Sequence, residues 1–583
     1  MLSLRPQVLL IAFPALLIAI FWSSLFQGPN LRSRISSLDF FSFSSPRVSI
    51  QQGHVVGRLL TKNFPKPVEA FMGLPYCQSP TGDRRFRPAA PLPASNKTFK
   101  ALKYGPICPG KQLLSGKSFP SSEDCMTVNI FRQKPKDEKK VPVAVYIHGG
   151  AFNRGSSTMH NTASMVAFSE RPFIGVSFNY RIGALGFLPS KLTLEEGIVN
   201  LGLHDQVFLL QWVHDNIEEF GGDKNDVTIF GLSAGAHSIG HHIMNYKEGV
   251  TPLFHKAILE SGSATSRAQH PYNAPVHEEQ FALFVEKVGC ASVPRESIIS
   301  CLRSQPEVII NEASTHVFDQ YNPSLRWAFQ PVIDHDLIQR RPIDSWATKK
   351  WHRVPIMTGH TTNEGTYYVP SALATPEEFT DFWHVLLPHY SGKDLSTINS
   401  LYPDPSSVED SKYKETRDMA SIGVGPQYKR VEAAYAHYAY TCPVRQTADL
   451  ASIGQQQPVF VYHWAVNKTV KGGANHGDNM YYESYPEDVT SISEATKEIS
   501  GIYHAYVTSF ITSGDPNTIQ GKYKYRPKWE NYVRGSEKVM ILGNGNDERA
   551  GGTSLGTPAE MVDSSWIKKE CDFWWEKSHE TEE

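Results

Sequence analysis

Short runs of apolar residues recur through the middle of the chain, and four of them are typical of strands buried on both faces of a sheet. These runs are Val141–Ile147, Phe173–Phe178, Val227–Phe230 and Lys256–Leu259. Between the second and third runs, Val207–Phe220 carries apolar residues three or four positions apart, which predicts an amphipathic helix ending at Gly221. Strands that alternate with helices predict an α/β fold with a large, mostly parallel sheet covered by helices on both faces. Residues 370–450, richer in Pro, Tyr and charge, are predicted to form helical excursions that cap this sheet.

One apolar run near the N-terminus is much longer than the others. Val8–Phe26 contains 19 residues without a charge, which is about the length that spans a bilayer. It is longer than the apolar region of most cleaved signal peptides, and no small-x-small cleavage motif precedes Gly28. We therefore expect residues 1–30 to be a signal anchor that contacts the membrane if it is not cleaved, with a cleaved signal peptide as the alternative. The Ser-, Arg- and Pro-rich residues 31–47 are predicted to form a short stalk.

The rest of the chain is predicted to form one catalytic domain over residues 48–575, followed by a polar tail at 576–583. Hydrophobic residues make up 40% of the chain, which is enough for a large core. The 57 Lys and Arg residues are balanced by 59 Asp and Glu, and no basic stripe occurs, so no nucleic-acid partner is expected. The sequence shows neither a complete zinc-binding motif nor a phosphate-binding glycine loop, and no metal or cofactor is expected. The sequence carries no signal for a particular oligomeric state.

Sequons and cysteines indicate a domain outside the cytosol. Asn96 and Asn467 each begin an Asn-Lys-Thr sequon for glycosylation. The seven cysteines include two pairs that are close in sequence: Cys108 with Cys125 and Cys290 with Cys301. Close pairs suit local disulfides in an oxidising compartment, although reduced core cysteines fit the same spacing. The other three have no obvious partner: Cys77, Cys442 and Cys571. We expect a protein of the secretory pathway, either anchored with a lumenal or extracellular domain or secreted.

The segment Gly231–Gly235 (GLSAG) has the Gly-x-Ser-x-Gly pattern of a nucleophilic serine. The pattern occurs by chance in long chains, so its surroundings decide its meaning. Ser233 follows a predicted buried strand and precedes a run of small residues that predicts a helix. In that position the two glycines permit the sharp turn that exposes the serine hydroxyl, and the helix N-terminus directs backbone N–H groups towards it.

A second glycine pair follows the first predicted strand, in His148–Phe152 (HGGAF). A Gly-Gly pair after a strand is usually only a turn. Beside a nucleophilic serine, however, the N–H groups of Gly149 and Gly150, together with that of Ala234, can form an oxyanion hole. The two patterns together predict a serine hydrolase.

Several segments, in order along the chain, resemble the type-B carboxylesterase/lipase family, which includes the cholinesterases. FGGDKNDVTIFGLSAG (Phe220–Gly235) resembles the serine signature of that family. EDCMTVNIF (Glu123–Phe131) is similar to its second signature, with Met126 where leucine is usual. Further similar segments are NYRIGALGF at Asn179–Phe187, NLGLHDQ at Asn200–Gln206, ESGS at Glu260–Ser263, GHTTNEG at Gly359–Gly365 and SGDPN at Ser513–Asn517. The resemblance extends from about Val48 to about Trp574.

This resemblance implies an α/β-hydrolase fold and indicates the two residues that would act with Ser233. It assigns Glu364 as the acid and His476 as the base, in the order Ser, Glu, His that the fold requires. It also implies the two local disulfides, Cys108–Cys125 and Cys290–Cys301. The expected reaction is hydrolysis of a carboxylic ester through an acyl-enzyme on Ser233, with Asn179, Asp205 and Ser261 as candidate supports around the triad.

Two departures from the usual sequence of this family bear on the expected substrate. The family often has Glu immediately before the nucleophile, where it is thought to receive cationic substrates, whereas this chain has Leu232. We therefore expect neutral esters, although Leu232 could also serve only to pack the turn. The loop between Cys108 and Cys125 matches the lid of family lipases but is short and mostly polar, which favours a carboxylesterase over a lipase.

Two other interpretations of the sequence remain. Some relatives have lost the serine and act in adhesion. The alternative to an enzyme is therefore a membrane-tethered, non-catalytic ectodomain that binds a partner. His237 and His241 have the spacing of a zinc pair on one helix, with His242 beside them, but no acidic third ligand is nearby in the sequence. We expect these histidines to be buried and hydrogen-bonded and the metal site to be absent.

Overall fold

The computed structural model describes residues 45–113, 116, 118–134, 139–267, 269–469, 471–547, 556–564 and 567–581. Pro46–Glu583 forms one compact unit. The predicted anchor and nearly all of the predicted stalk lie outside the described residues, and the first described strand begins at Arg47. Within the described ranges, the structure contains no helix with the length and apolarity needed to cross a membrane.

A large mixed sheet forms the centre of the unit. The described strands, numbered in chain order, are β1 Arg47–Ile50, β2 Gly53–Val56, β3 Arg58–Leu60, β4 Val68–Pro75, β5 Thr98–Lys100, β6 Thr127–Gln133, β7 Val141–Ile147, β8 Ile174–Phe178, β9 Gly222–Leu232, β10 Lys256–Glu260, β11 Ile356–Thr361, β12 Val459–Trp464, β13 Lys538–Asn544 and β14 Thr557–Asp563. Eleven of them form one sheet in the order β14-β13-β12-β11-β10-β9-β7-β8-β6-β4-β3, while β1, β2 and β5 form a small second sheet. Pairing is parallel from β13 through to β8 and antiparallel at both edges. The predicted mostly parallel sheet is confirmed.

Helices cover both faces of this sheet. They are α1 Thr162–Phe168, α2 Gly183–Gly186, α3 Lys191–Glu195, α4 Leu201–Asn216, α5 Ala234–Met244, α6 Pro275–Val288, α7 Ile298–Ser304, α8 Glu307–Tyr321, α9 Pro342–Ala347, α10 Pro376–Leu386, α11 Gly392–Leu401, α12 Met419–Ile422, α13 Tyr428–Ala436, α14 Cys442–Gly454, α15 Asp478–Glu483, α16 Glu487–Thr490, α17 Glu494–Ser513, α18 Lys568–Glu576 and α19 Ser578–Thr581. Alternate residues of β7 enter different apolar clusters, with Val145 on the side of α4 and Tyr146 on the side of α17. Because successive strand residues point to opposite faces, a strand covered on both sides is apolar throughout, as its sequence shows.

The predicted elements differ from the observed ones mainly at their ends. The apolar run Val227–Phe230 is only the centre of β9, because the strand also pairs with β7 through polar residues beyond a register shift. The predicted helix at Val207–Phe220 begins earlier, at Leu201, after Asn200 in a left-handed conformation. It is continued after Asn216 by a 3₁₀ turn that ends at Gly221 (φ 85°).

The predicted capping helices between 370 and 450 are present as α10 to α13. Their aromatic residues, among them Trp383 and Tyr435, share an apolar cluster with Trp574 of α18. Ala151, in the loop after β7, packs against the same cluster. The cap therefore reaches the loop that the sequence assigns to the oxyanion hole.

Candidate active site

Ser233 occupies the sharp turn between β9 and α5. Its backbone is held at φ 60° and ψ −124°, a conformation that side-chain-bearing residues rarely adopt. Its N–H donates to the carbonyl oxygen of Glu260 at 2.9 Å, which fixes the turn beside β10. A Cβ added to Gly231 or Gly235 would lie 2.3 or 2.0 Å from the carbonyl oxygen of Ile147, so only glycine fits at either position.

The loop after β7 lies directly against this serine. A Cβ on Gly149 would approach the Ser233 Cβ to 3.0 Å, and Gly150 has a φ of 112° that favours glycine. Among the described residues, the backbone N–H groups of Gly149, Gly150 and Ala234 donate no hydrogen bond. These N–H groups belong to the two segments that meet at Ser233, and free backbone donors of this kind are what stabilises a developing oxyanion.

Glu364 and His476 form a charge-assisted pair at the carboxyl ends of β11 and β12. His476 Nδ1 lies 2.5 Å from Glu364 Oε2, and the other carboxylate oxygen accepts the N–H of Thr361 at 2.7 Å. His476 Nε2 is buried and has no hydrogen-bond partner among the described residues. A carboxylate at Nδ1 places the proton there and leaves Nε2 as the basic nitrogen.

Backbone contacts bring the loops of the three residues together. The Asn363 N–H donates to the Ala474 carbonyl oxygen at 2.8 Å, which joins the residues immediately around Glu364 and His476. Leu232 Cδ2 lies 2.8 Å from the position of a Cβ on Gly477. The residue before Ser233 therefore packs against the residue after His476, so Leu232 has a packing role.

Residues that the sequence did not indicate support this pair. Glu432 Oε1 accepts the N–H of Gly365 at 2.9 Å, and burial raises the pKa of Glu432 to about 7. Tyr440 and Tyr368 flank His476, with ring centroids 4.5 and 5.4 Å away. Tyr440 belongs to a π-helical segment, His437–Thr441, between α13 and α14. No local motif marks these residues, because each reaches the site only through the folding of the cap.

Of the three predicted supporting residues, one lies beside the serine turn and two have other contacts. Ser261 is adjacent to the turn, at φ 49°, and its buried Oγ has no hydrogen-bond partner among the described residues. Asn179 instead fixes the Cys108–Cys125 loop, since its Nδ2 donates to the carbonyl oxygen of Cys125 at 3.1 Å. Asp205 forms a buried ion pair with Arg181 at 2.5 Å.

The three histidines of α5 are engaged in hydrogen bonds or buried against neighbours. His237 Nδ1 lies 3.1 Å from the Ser263 carbonyl oxygen, and His242 Nε2 lies 2.8 Å from Gln206 Oε1. Burial lowers the pKa of His241 to about 4 and that of His242 to about 3. Across the described parts of the chain, no cluster of three or more His, Cys, Asp or Glu residues could hold a metal ion.

Disulfides join three cysteine pairs in the structure. Two are the pairs expected from the resemblance, Cys108–Cys125 and Cys290–Cys301. The third joins two of the cysteines without an obvious partner, Cys442 and Cys571, across 129 positions of sequence, and Cys77 is free and buried. Of the predicted sequon residues, Asn96 is exposed and Asn467 is partly exposed.

A mostly parallel sheet with a serine on its strand-to-helix turn defines the α/β-hydrolase fold. The profile of the carboxylesterase family matches residues 44–574, and the chain belongs to this family. Secreted lipase 4 of Gibberella zeae is 37% identical over 535 residues, covering 90% of this chain and 91% of the lipase. The carboxylic ester hydrolase of Bombus ignitus is 28% identical over 82% of this chain and 88% of that enzyme. The crystal structure of Aspergillus niger EstA has a TM-score of 0.78 and 26% identity, covering 92% of this chain and 99% of EstA. The protein is thus a hydrolase of carboxylic esters, as the sequence predicted, and the non-catalytic ectodomain is disfavoured.

Proposed function

We propose that Ser233, His476 and Glu364 form the catalytic triad of a carboxylesterase that acts through an acyl-enzyme. The observation that carries this proposal is the Glu364–His476 pair. Within the described part of the chain, the basic Nε2 of His476 has no hydrogen-bond partner, and its loop packs against the serine turn. The resemblance of the surrounding segments supports the same assignment.

The proposed reaction has two halves. His476 Nε2 takes the proton of Ser233 as Oγ attacks the ester carbonyl carbon, and Glu364 stabilises the imidazolium that forms. The N–H groups of Gly149, Gly150 and Ala234 bind the oxyanion of the tetrahedral intermediate. The alcohol leaves with the proton from His476, and the acyl group remains on Oγ. A water molecule then loses its proton to His476 and attacks the acyl-enzyme. The bond from the acyl carbon to Oγ breaks, the acid is released, and His476 returns the proton to Ser233 Oγ.

The proposed substrates are esters without a positive charge. Leu232 stands where a carboxylate would receive a cation, and it is buried with its side chain against Gly477. No carboxylate at this position can therefore attract a substrate ammonium group.

The decisive experiment compares Ser233→Ala with Ser396→Ala, a matched control at an exposed position of α11. With p-nitrophenyl butyrate, we expect Ser233→Ala to reduce kcat by at least about 10³-fold and Ser396→Ala to leave it unchanged. An active-site organophosphate should label the wild type and the control but not Ser233→Ala. Equal turnover or equal labelling of the two variants would show that Ser233 is not the nucleophile.

A lipase is the second candidate, because the relative from Gibberella zeae is named a secreted lipase. The Cys108–Cys125 loop favours an esterase instead, since it is fixed by the Lys111 N–H, which donates to the Asn153 carbonyl oxygen at 2.8 Å, and by a buried ion pair between Glu123 and Arg85 at 2.8 Å. These contacts hold the described parts near both ends of the loop and so oppose the displacement that an interfacial lid needs. Activity on esters of increasing chain length, measured below and above their solubility limit, distinguishes the two. A rise above the limit indicates a lipase.

We further propose that the domain lies outside the cytosol, glycosylated at Asn96 and Asn467. The disulfides, the exposure of Asn96 and the secreted relative support this location. Glycosidase treatment should increase the mobility of the expressed protein. Carbonate extraction separates an anchored form, retained with membranes, from a released form.

A further inference from the structure

A cavity near the proposed site is lined, as far as the described residues go, by two arginines and by no acidic residue. Arg267 and Arg326 line it together with aromatic, histidine and amide side chains, and neither Asp nor Glu is among the lining residues. Burial lowers the pKa of the lining His241 to about 4 and that of His277 to about 3, so both are neutral at physiological pH. The fixed charge of the cavity is therefore positive.

Arg267 uses little of its hydrogen-bonding capacity. Its Nη2 donates to the hydroxyl of Tyr440 at 2.7 Å, while its buried Nε has no hydrogen-bond partner among the described residues. The guanidinium lies over the Trp327 ring, 3.6 Å from its centroid, and no carboxylate of the described residues pairs with it. A guanidinium has five N–H donors, and partly buried charges normally have an ionic partner. The guanidinium is thus stacked in place, and the described residues accept a hydrogen bond from only one of its three nitrogens.

The same aromatic residues contact Arg267 and the proposed base. The guanidinium carbon lies 5.6 Å from the Tyr440 centroid, and the His476 ring lies 4.5 Å from the same centroid. Arg267 and His476 are therefore no more than about 10 Å apart. His237 also lines the cavity, and its N–H donates to the Ser233 carbonyl oxygen at 2.8 Å. The cavity thus reaches from Arg267 to the first turn of α5, the helix that begins directly after Ser233.

We propose that Arg267 binds a carboxylate carried by the substrate, so that the preferred esters contain a free carboxylate near the scissile ester. This proposal rests on the proposed esterase function and specifies its substrate class. The separation of at most about 10 Å includes a contact of about 3 Å at each end, and these contacts need not be in line. The carboxylate is therefore expected within about 7 Å of the ester carbonyl carbon. Half-esters of short dicarboxylic acids and acyl esters of hydroxy acids both meet this requirement.

The test compares anionic esters with neutral amides of the same shape. For a carboxylate in the acyl part, the pair is 4-nitrophenyl hydrogen glutarate and 4-nitrophenyl glutaramate. For a carboxylate in the alcohol part, the pair is 4-acetoxybenzoate and 4-acetoxybenzamide. In each pair kcat/KM is measured for the full-length wild type, Arg267→Met, Arg267→Lys and the control Arg353→Met, in which an exposed arginine near Trp351 is removed.

In at least one pair, we expect the wild type to prefer the anionic ester by roughly 10- to 100-fold, as for a charged hydrogen-bonded contact. Arg267→Met should abolish this ratio, Arg267→Lys should retain part of it, and Arg353→Met should leave it intact. The pair that shows the effect identifies the side of the ester that carries the carboxylate. If Arg267→Met does not fold, inhibition of the wild type by glutarate, weakened in Arg267→Lys, provides the same test.

Other outcomes overturn the proposal. A wild type that hydrolyses the amides as fast as the anions, or a preference that survives Arg267→Met, excludes Arg267 as the carboxylate-binding residue. Hydrolysis of the neutral esters would still support the proposed esterase in that case. A wild type that hydrolyses no ester and resists organophosphate labelling would instead refute both proposals.

Discussion

Gly149 offers the sharpest test of the proposed oxyanion hole, because a single added methyl group changes its geometry. Its φ lies outside the left-handed region, so alanine is compatible with the backbone conformation. The new Cβ would, however, lie 2.4 Å from the Leu232 carbonyl oxygen and 3.0 Å from the Ser233 Cβ. Ordinary contact begins near 3.4 Å, so the loop must move by about 1 Å.

Such a displacement moves the Gly149 N–H away from the oxyanion. Loss of one donor typically costs about 10²–10³-fold in kcat, and a shift of about 1 Å has an effect of similar size. We therefore expect Gly149→Ala to reduce kcat for p-nitrophenyl butyrate by at least about 100-fold, with KM changed less than about threefold. Overpacking should also lower the free energy of unfolding by about 1–3 kcal/mol.

Gly392→Ala is the matched control. This glycine is the first residue of α11, and a Cβ there meets no atom within 4 Å. We expect unchanged kcat and equal or slightly higher stability. Circular dichroism and thermal melting establish that both variants are folded at the assay temperature. A folded Gly149→Ala enzyme with kcat within threefold of the wild type would refute the assigned role of this N–H.

Further predictions concern the acid, its neighbour and the long-range disulfide. Glu364→Gln should reduce kcat by roughly 10³–10⁴-fold in steady-state assays, since an amide no longer stabilises the His476 imidazolium; activity within tenfold would contradict this. Burial raises the pKa of folded Glu432 to about 7, so its protonation stabilises the fold fully below about pH 4.5, and this contribution is lost as the pH rises through 7. Thermal melting should therefore show Glu432→Gln gaining stability relative to wild type between pH 5 and pH 8, whereas a constant difference would refute the assigned pKa. Replacing Cys442 and Cys571 by Ser should lower the free energy of unfolding by up to about 5 kcal/mol in calorimetry, because the bond closes a long loop; an unchanged melting temperature would contradict this.

The parts of the site that were predictable from local sequence are those that depend on backbone conformation. The turn at Ser233 and the Gly149 loop both need glycine at fixed positions beside a buried strand, and such requirements appear directly in the residue pattern. Glu364 and His476 carry no such local requirement. They meet across 112 positions of sequence, and only the resemblance to a family indicated them.

The remaining features depend on contacts that spacing does not reveal. Cys442 and Cys571 pair because α14 and α18 pack together, although 129 positions separate the two cysteines. Glu432, on α13, reaches the Glu364 turn only through the folded cap. Arg267 lies among Trp327, Tyr368 and Tyr440, which come from separate segments. The sequence therefore predicts the proposed catalytic residues better than the residues that surround the substrate.

The two features that bear on substrate charge act in the same direction. Leu232 removes a carboxylate that could attract a cation, while Arg267 adds a positive charge near His476. At about 6 Å and an effective dielectric constant of about 20, the interaction of two unit charges is about 3 kcal/mol. A substrate ammonium at that distance from Arg267 would be repelled by this amount, and a carboxylate attracted by it. Choline-like esters should therefore react more slowly than neutral esters of equal size, and esters whose carboxylate can reach Arg267 should react faster.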